Sequence, residues 1–207
     1  MIAIVDYGVG NLFSLRSSFA AIGADAVVTS DEEVLRRADK LVLPGVGAFS
    51  AAVQKLEESG LSSVVVEEVK KGKPLLGICL GMQMLFERSF EDGVFEGLAL
   101  LKGEVRPIKE VIPSSYKIPH IGWNALRFEK PSPLFKYIKE GDYVYFVHSF
   151  YAANCEDSVR ATAEYGAPLT ACVQKGKVFG CQFHPEKSGE VGLNMLRAFV
   201  EYEGEKE

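Results

Sequence analysis

The sequence predicts an α/β fold with a largely parallel central sheet, helices on both faces, and antiparallel strands added in the C-terminal half. In the first ninety residues, short apolar runs alternate with helical patterns, which is typical of βαβ units in a parallel sheet. After residue 99 the pattern changes to strand-like runs separated by Gly, Pro and Asn, which indicates antiparallel strands that extend the same sheet. The length of 207 residues fits one domain that spans 1–207.

The elements follow from hydrophobic periodicity, taken in chain order. Strands are predicted in the first half at 2–5, 26–29, 41–43 and a run that ends at Ile78, with helices between them at 12–22, 31–38, 49–57 and 61–71. In the second half the predicted strands are 143–151, 160–165, 169–174 and 178–183, followed by a helix at 189–202. The proline-rich segment 112–133 is the most loop-like, and the charged tail 203–207 is expected to fray.

Composition and charge exclude several classes of protein. A hydrophobic content of 47% and a charged content of 25% are those of a globular domain, not of a disordered chain. A net charge of −5 without a long basic run predicts no nucleic-acid partner, and no run approaches the ~18 apolar residues of a membrane span. The N-terminus lacks the basic flank of a signal peptide, so a cytoplasmic location is expected.

Metal and cofactor sites are also not expected. The four cysteines form no C-x-x-C pair, which disfavours structural zinc and a disulfide framework. The segment Gly8-Val9-Gly10 follows the first strand as a dinucleotide-binding loop would, but Phe13 stands where the third glycine is needed. No metal and no cofactor are therefore predicted.

Cys79 lies in the segment Gly77-Ile78-Cys79-Leu80-Gly81, where an apolar strand breaks into a helical pattern. The spacing G-x-C-x-G is typical of a nucleophile elbow, a strained turn that presents one side chain at the carboxyl edge of a sheet. Glycines are needed two positions away on either side because the turn is crowded. Cys79 is the candidate nucleophile, whereas no such motif surrounds the three other cysteines, which are interpreted as small buried residues: Cys155, Cys172 and Cys181.

A thiol nucleophile needs a base and a group that orients the base. His184 is the best candidate because Pro185 restricts it to extended conformations, and side chains two apart on an extended chain point the same way. The Glu186 carboxylate can then bind one imidazole nitrogen while the other faces the thiol. His148 lies in a strand-like run and is interpreted as a buried strand histidine, with a second catalytic base as the alternative.

A thioester mechanism also needs N–H donors for the oxyanion. The segment Pro44-Gly45-Val46-Gly47 follows a predicted strand, and its glycines allow the backbone to approach a ligand closely. The candidate donors are the backbone N–H groups of Gly45, Val46, Gly47 and Leu80. An ordinary glycine turn between strand and helix is the alternative.

Two segments, Gly77-Ile78-Cys79-Leu80-Gly81-Met82-Gln83 and His184-Pro185-Glu186-Lys187-Ser188, resemble the motifs of class I (triad) glutamine amidotransferases. The resemblance spans nearly the whole chain. Within this family, the chain is most similar to the glutaminase subunits of imidazole glycerol phosphate synthases. Four further segments carry that resemblance: 6–12, 43–49, 119–124 and 145–151. Glutaminases of the anthranilate and GMP synthase types usually have histidine where this chain has Met82.

The resemblance implies that glutamine is hydrolysed to glutamate and ammonia, with Cys79 as nucleophile, His184 as general acid/base and Glu186 as its orienting partner. It implies a heterodimer with a (β/α)8 cyclase subunit, which uses the ammonia to make imidazole glycerol phosphate and aminoimidazole carboxamide ribotide in histidine biosynthesis. Glutamine contacts are implied for Gln83, Glu91, Ser149 and Phe150. Partner-facing positions are implied for Asn11, Trp123, Tyr145 and Lys187.

Other functions stay open at this point. The chain could be the glutaminase subunit of another amidotransferase. A noncatalytic interaction subunit of the same fold would be expected to lose one of Cys79, His184 or Glu186, and all three are present. A stand-alone cysteine hydrolase would lack the segments that resemble the glutamine pocket and the partner surface.

Overall fold

The computed structural model describes residues 1–204, so residues 205–207 of the predicted tail lie outside the described part. The first half alternates strands and helices: β1 (Ile2–Val5), α1 (Leu12–Ala21), β2 (Ala26–Thr29), α2 (Glu32–Arg37), β3 (Lys40–Leu43), α3 (Phe49–Glu58), α4 (Leu61–Lys70), β4 (Leu75–Ile78) and α5 (Leu80–Gln83). The boundaries lie within two residues of the predicted ones. At α2, for example, the Asp31 side chain accepts the N–H groups of Glu33 and Val34 and so sets the helix start.

The second half is dominated by strands: β5 (Arg88–Ser89), β6 (Phe95–Glu96), β7 (Glu104–Pro107), β8 (His120–Ala125), β9 (Arg127–Phe128), β10 (Tyr143–His148), β11 (Phe150–Ala153), β12 (Val159–Glu164), β13 (Pro168–Lys175) and β14 (Val178–Cys181). A helix, α6 (Gly189–Glu201), follows them. Within residues 1–204, no helix combines the length and the apolar character needed to cross a membrane.

The central sheet has the strand order β2-β1-β3-β4-β14-β13-β12-β9. Strands β2, β1, β3, β4 and β14 are parallel to their neighbours in that group, whereas β13, β12 and β9 continue the sheet antiparallel. The mixed α/β prediction is confirmed. Because β3, β4 and β14 are adjacent and parallel, the segments that follow them meet at one edge of the sheet.

Apolar residues cover both faces of this sheet, as expected for parallel strands between helices. One face packs against α2, α3 and α4, and its buried cluster includes Leu35 and Phe49. The other face packs against α1 and α6, and its cluster includes Phe19 and Phe199. Helices therefore lie on both faces, and the central sheet is buried between them.

The prediction that all later strands extend the central sheet was wrong. Strands β8 and β10 form a separate antiparallel pair, and β11, β7, β5 and β6 form a third sheet. The run 143–151, predicted as one strand, changes partner at Ser149, whose carbonyl accepts the N–H of Ile108. Alternating burial reports which face of a strand is covered but not which strand lies beside it, so the sequence pattern hid this change.

The segment 112–133 is also more ordered than its prolines predict. It contains β8 and β9, and β8 pairs with β10 along its whole length from His120 to Ala125. Its outer side carries exposed Ile121 and Trp123 where a half-buried strand usually has polar residues. That inverted pattern, together with the prolines, conceals the strand in the sequence.

Candidate active site

Cys79 occupies a sharp turn between β4 and α5, with φ 53° and ψ −111°. This is an unfavourable conformation for a residue with a side chain, as the elbow motif predicts. A Cβ atom on Gly81 would lie 1.8 Å from the Leu43 carbonyl oxygen, and one on Gly77 would lie 2.8 Å from the Gly81 carbonyl oxygen. Glycine is therefore the only residue that fits at either position. The Cys79 N–H donates to the Cys181 carbonyl at 2.8 Å, which ties the elbow to β14.

His184 lies beyond the end of β14 and beside Cys79. Its backbone is extended (φ −101°, ψ 100°), and its N–H donates to the Tyr145 carbonyl at 3.0 Å. Its Nδ1 lies 2.8 Å from Oε1 of Glu186, and the Cys79 thiol lies close enough to the ring to raise the pKa of the imidazole. Because a carboxylate accepts, Nδ1 carries the proton in that contact and Nε2 is the nitrogen left for sulfur.

The reason that His184 and Glu186 meet differs from the predicted one. Residues Pro185–Lys187 form a 3₁₀ turn instead of an extended strand, and this turn brings the carboxylate back against the ring. The second oxygen, Oε2 of Glu186, is buried and accepts no hydrogen bond from any described residue. Within the described part of the chain, the imidazole is thus the hydrogen-bond partner of this carboxylate.

Electrostatics at His184 favour the protonated ring. Burial acts to lower the pKa of His184, but hydrogen bonds to Cys79 and Glu186, with the negative charges of both groups, outweigh it and raise the pKa to about 9. The imidazole can therefore hold a proton taken from the thiol at neutral pH and release it to a leaving group.

A cavity of about 320 Å³ opens in front of Cys79 and His184. It is lined by most of the predicted oxyanion and glutamine-binding residues: Val46, Gly47, Leu80, Gln83, Glu91, Ser149 and Phe150. Gly45 is buried outside this lining, where a Cβ would lie 2.8 Å from the Gly81 nitrogen. Gly45 thus allows the 44–47 loop to pack against the elbow instead of facing the cavity.

The loop that contains Val46 and Gly47 is anchored at one end and open at the other. The buried Tyr7 hydroxyl donates to the Pro44 carbonyl at 2.6 Å, whereas Gly47 is exposed and has φ +91°. Among the hydrogen bonds of the described residues, none is donated by the N–H groups of Val46, Gly47 or Leu80. These groups are available to a negatively charged oxygen in the cavity.

Two polar side chains in the cavity already have protein partners. Nε2 of Gln83 donates to the Phe150 carbonyl at 3.1 Å and to Oε1 of Gln182 at 3.0 Å. Oε2 of Glu91 accepts the Phe49 N–H at 2.7 Å. Burial raises the pKa of Glu91, and the Phe49 N–H acts in the opposite direction.

Comparison with known proteins places this site in a family. The family model for glutamine amidotransferase class-I matches residues 3–202. The chain belongs to the class-I glutamine amidotransferases. Two similar relatives are both named imidazole glycerol phosphate synthase subunit HisH. The protein of Caldanaerobacter subterraneus subsp. tengcongensis is 50% identical over 97% of this chain and 98% of its own, and that of Bacillus cereus (strain G9842) is 52% identical over 96% and 93%.

Solved structures agree on the fold of this amidotransferase. A structure described as a glutamine amidotransferase has a TM-score of 0.75 at 20% identity and covers 97% of this chain and 98% of its own. The structure of PurLQS from Thermotoga maritima has a TM-score of 0.72 at 22% identity, with 97% of each chain covered. At these identities the likeness concerns the fold alone.

Sequence reasoning missed one polar residue of the amidotransferase site, Gln182, whereas the interpretation of His148 as a buried strand histidine is confirmed. His148 lines the cavity, and it is a buried strand histidine with both ring nitrogens bonded, to the Phe150 carbonyl at 2.8 Å and to Nδ1 of His120 at 2.9 Å. Gln182 is fully buried, and its Nε2 lies 3.7 Å from Sγ of Cys79. The sequence feature that could have identified Gln182 is its position as a polar residue inside the apolar run 178–183.

The predicted partner-facing residues lie outside the cavity lining. Trp123 is 55% exposed, and its ring contacts that of Tyr145 edge-on, with centroids 6.1 Å apart. Nζ of Lys187 lies 6.0 Å from the Tyr145 ring centroid. Asn11 caps the start of α1 by position, without a side-chain hydrogen bond to the helix. Trp123, Tyr145 and Lys187 therefore form one surface cluster.

Proposed function

We propose that the chain is the glutaminase subunit of an imidazole glycerol phosphate synthase and acts as one catalytic domain. In this role it hydrolyses L-glutamine to glutamate and ammonia through a thioester on Cys79. The observation that supports the assignment of roles is the contact of the Cys79 elbow with the His184–Glu186 pair, in a cavity that also contains unbonded backbone N–H groups. Relatives about 50% identical over nearly the whole chain supply the subunit assignment.

The first half of the reaction forms the thioester. Nε2 of His184 takes the proton of the Cys79 thiol. The sulfur then attacks the carboxamide carbon of glutamine, and the electrons of the C=O bond move onto the oxygen. The oxyanion is stabilised by N–H groups of Val46, Gly47 and Leu80, with Gly45 allowing that loop to lie against the elbow. His184 then donates its proton to the nitrogen as the C–N bond breaks, and ammonia leaves.

The second half releases glutamate. His184, now neutral, takes a proton from water as the oxygen attacks the thioester carbon, and the C–S bond breaks. C–S cleavage restores the Cys79 thiolate beside the protonated His184, and the product departs as glutamate after its new carboxyl group loses a proton to water. Glu186 accepts from Nδ1 throughout, which keeps Nε2 directed at the reacting atoms and stabilises the imidazolium.

Substrate recognition is assigned to the polar groups along the same cavity. Gln83, Ser149 and Phe150 contribute amide and backbone groups suited to the glutamine carboxamide and carboxylate, and the Glu91 carboxylate suits the α-ammonium group. A cavity of about 320 Å³ is large enough for a free amino acid such as glutamine.

The partner is proposed to be a (β/α)8 cyclase that receives the ammonia and forms imidazole glycerol phosphate and aminoimidazole carboxamide ribotide. Ammonia released into water at neutral pH becomes ammonium, a poor nucleophile, so a closed route to the acceptor has a chemical reason. Asn11, Trp123, Tyr145 and Lys187 are the proposed contacts. Exposed aromatic side chains such as that of Trp123 are enriched in protein interfaces.

Glutamate release from glutamine tests the proposal. The purified chain is assayed alone and with the cyclase barrel and its nucleotide ligand. Slow release alone and strong stimulation in the complex are expected. Cys79→Ser and Glu186→Gln should each lower the stimulated rate by more than about tenfold, while Cys155→Ser, at a buried cysteine outside the cavity, should leave it unchanged.

The alternative outcomes separate the other functions. Equal and fast release with or without the cyclase would retain the chemistry and reject the partner. No release under any condition, with folded protein and intact complex, would reject the glutaminase assignment and favour a noncatalytic subunit.

A further inference from the structure

Gln182 is a fully buried amide that separates the apolar residues Cys181 and Phe183 just beyond β14. Its N–H donates to the Ala171 carbonyl at 2.9 Å, so its backbone is fixed by the neighbouring strand. Its side chain reaches two groups of the site, Nε2 toward Sγ of Cys79 at 3.7 Å and Oε1 toward Nε2 of Gln83 at 3.0 Å. Burying an amide is costly unless both ends are bonded, and both are.

Chemistry fixes which end of this amide faces the sulfur. The Phe150 carbonyl can only accept, so the Gln83 atom that contacts it is the NH₂ group. The same NH₂ group contacts Gln182, whose facing atom must then be the carbonyl oxygen. The NH₂ group of Gln182 is consequently the end that faces Cys79.

The Phe150 carbonyl is itself held in place. Nδ1 of His148 contacts it at 2.8 Å and must donate there, which leaves Nε2 of His148 to accept from Nδ1 of His120 at 2.9 Å. A continuous set of hydrogen bonds thus runs from the β8–β10 pair, through Phe150, Gln83 and Gln182, to the sulfur. No member can rotate without losing a bond.

We propose that Gln182 is a positioning residue for the nucleophile: it donates an N–H to Sγ of Cys79, holding the sulfur toward the cavity and stabilising its negative charge. The reaction roles rest on the proposed function. Hydrogen bonds to charged groups are about twice as strong as those between neutral groups, so the contact gains strength as the thiol loses its proton. Both His184 and Gln182 then interact with the sulfur.

A purely structural role predicts different behaviour. If Gln182 only provides an acceptor for Gln83, its removal would disturb the glutamine contact and raise KM, without changing how Cys79 reacts with a small reagent. A positioning role predicts a change at the sulfur itself. Alkylation by iodoacetamide reads the sulfur directly and needs no glutamine.

Two variants separate these roles. Gln182→Met fills the site but removes both amide ends, whereas Gln182→Glu keeps an oxygen for Gln83 and replaces the donor with a second oxygen. Gln174→Met is the matched control, since Gln174 is a buried, hydrogen-bonded glutamine of β13 that does not line the cavity. Thermal unfolding of each variant establishes that it is folded.

Alkylation of Cys79, identified by peptide mass spectrometry, is followed across the neutral and alkaline pH range together with kcat and KM for glutamine. At neutral pH, Cys79 of the Gln182→Met variant should be alkylated about tenfold more slowly than Cys79 of the parent protein. The pH profile of its alkylation rate should be displaced to higher pH, and kcat should be reduced by a similar factor. Gln182→Glu should be slower still, and Gln174→Met unchanged.

Parent-like alkylation profiles in both folded Gln182 variants would overturn the proposal, even if KM rises. Failure of the proposed function is a separate result: a parent chain that releases no glutamate while its Gln182 variants still alter alkylation would retain the contact with sulfur and reject the glutaminase role.

Discussion

Acidification should destabilise this protein through the paired imidazoles of His120 and His148. Both rings are buried, and burial lowers the pKa of each to about 4. Asn124 contacts Nε2 of His120 at 3.4 Å, and Nδ1 of His120 contacts Nε2 of His148 at 2.9 Å. Each neutral ring therefore donates once and accepts once. A second proton on either ring would bring two N–H groups face to face or oppose the Asn124 amide.

The direction of the stability change with pH follows from the pKa values of these histidines in the folded and unfolded states. Below the ordinary histidine pKa of 6.5, His120 and His148 bind protons in the unfolded chain but stay neutral in the folded chain until the pH approaches 4. The free energy of unfolding therefore falls as the pH falls. From pH 6.5 to about pH 4.5 the loss is about 2 kcal/mol for each ring and about 4 kcal/mol for the pair. His184, whose pKa is raised to about 9, has the opposite sign: its contribution is fully present below pH 6.5 and is lost as pH rises through about 9.

Urea denaturation at a series of pH values measures this loss as a change in the free energy of unfolding. His120→Gln retains an N–H donor for His148 but removes one titrating ring, so the acid loss should fall to about half. Carboxylates that titrate in the same range cancel in the comparison of variant and parent. His184→Gln is the matched control and should retain the full loss. An acid loss in His120→Gln equal to that of the parent would refute the reasoning.

Three further outcomes are expected. Gly81→Ala places a Cβ 1.8 Å from the Leu43 carbonyl and should cost about 4 kcal/mol in urea denaturation, whereas Gly23→Ala, with a positive φ but open space around it, should cost only about 1 kcal/mol. Cys79→Gly relieves the strained elbow and should be about 1 kcal/mol more stable than Cys79→Ala, with glutaminase activity absent from both; equal stability would contradict the strain. Glu91→Gln keeps the acceptor for the Phe49 N–H but removes the charge, so KM for glutamine should rise about tenfold with kcat little changed, and an unchanged KM would remove Glu91 from the substrate site.

The sequence predicted the central features of the site because these depend on local chemistry. The elbow at Cys79 needs glycines at fixed offsets, and the crowding around Gly77 and Gly81 gives the same reason in three dimensions. The strand alternation of the first half predicted that segments after β3 and β4 would share an edge. The placement of His184 at that edge required β14 to pair with β4, which no local pattern encodes.

What the sequence could not predict depends on partners far along the chain. The change of sheet at Ser149 follows from β7 lying beside β11, although residues 104–107 and 150–153 are remote in sequence. Gln182 is polar for a reason that appears only when Cys79 and Gln83 lie beside it. The contact between His184 and Glu186 was predicted correctly, but from an extended backbone. In the structure a 3₁₀ turn at Pro185–Lys187 brings the two side chains together.

The pairing of β14 with β4 also has a consequence during synthesis on the ribosome. Strands β1 to β4 and the cysteine elbow emerge early and can begin to pair, whereas the strand that fills the place between β4 and β13 emerges about a hundred residues later. Until then β4 is an exposed edge, and neither imidazole nor carboxylate is present beside the thiol. A nascent chain therefore carries the Cys79 sulfur without His184 and Glu186 beside it, and the proposed triad can form only after the segment that contains β14 and Glu186 has left the ribosome and paired with β4.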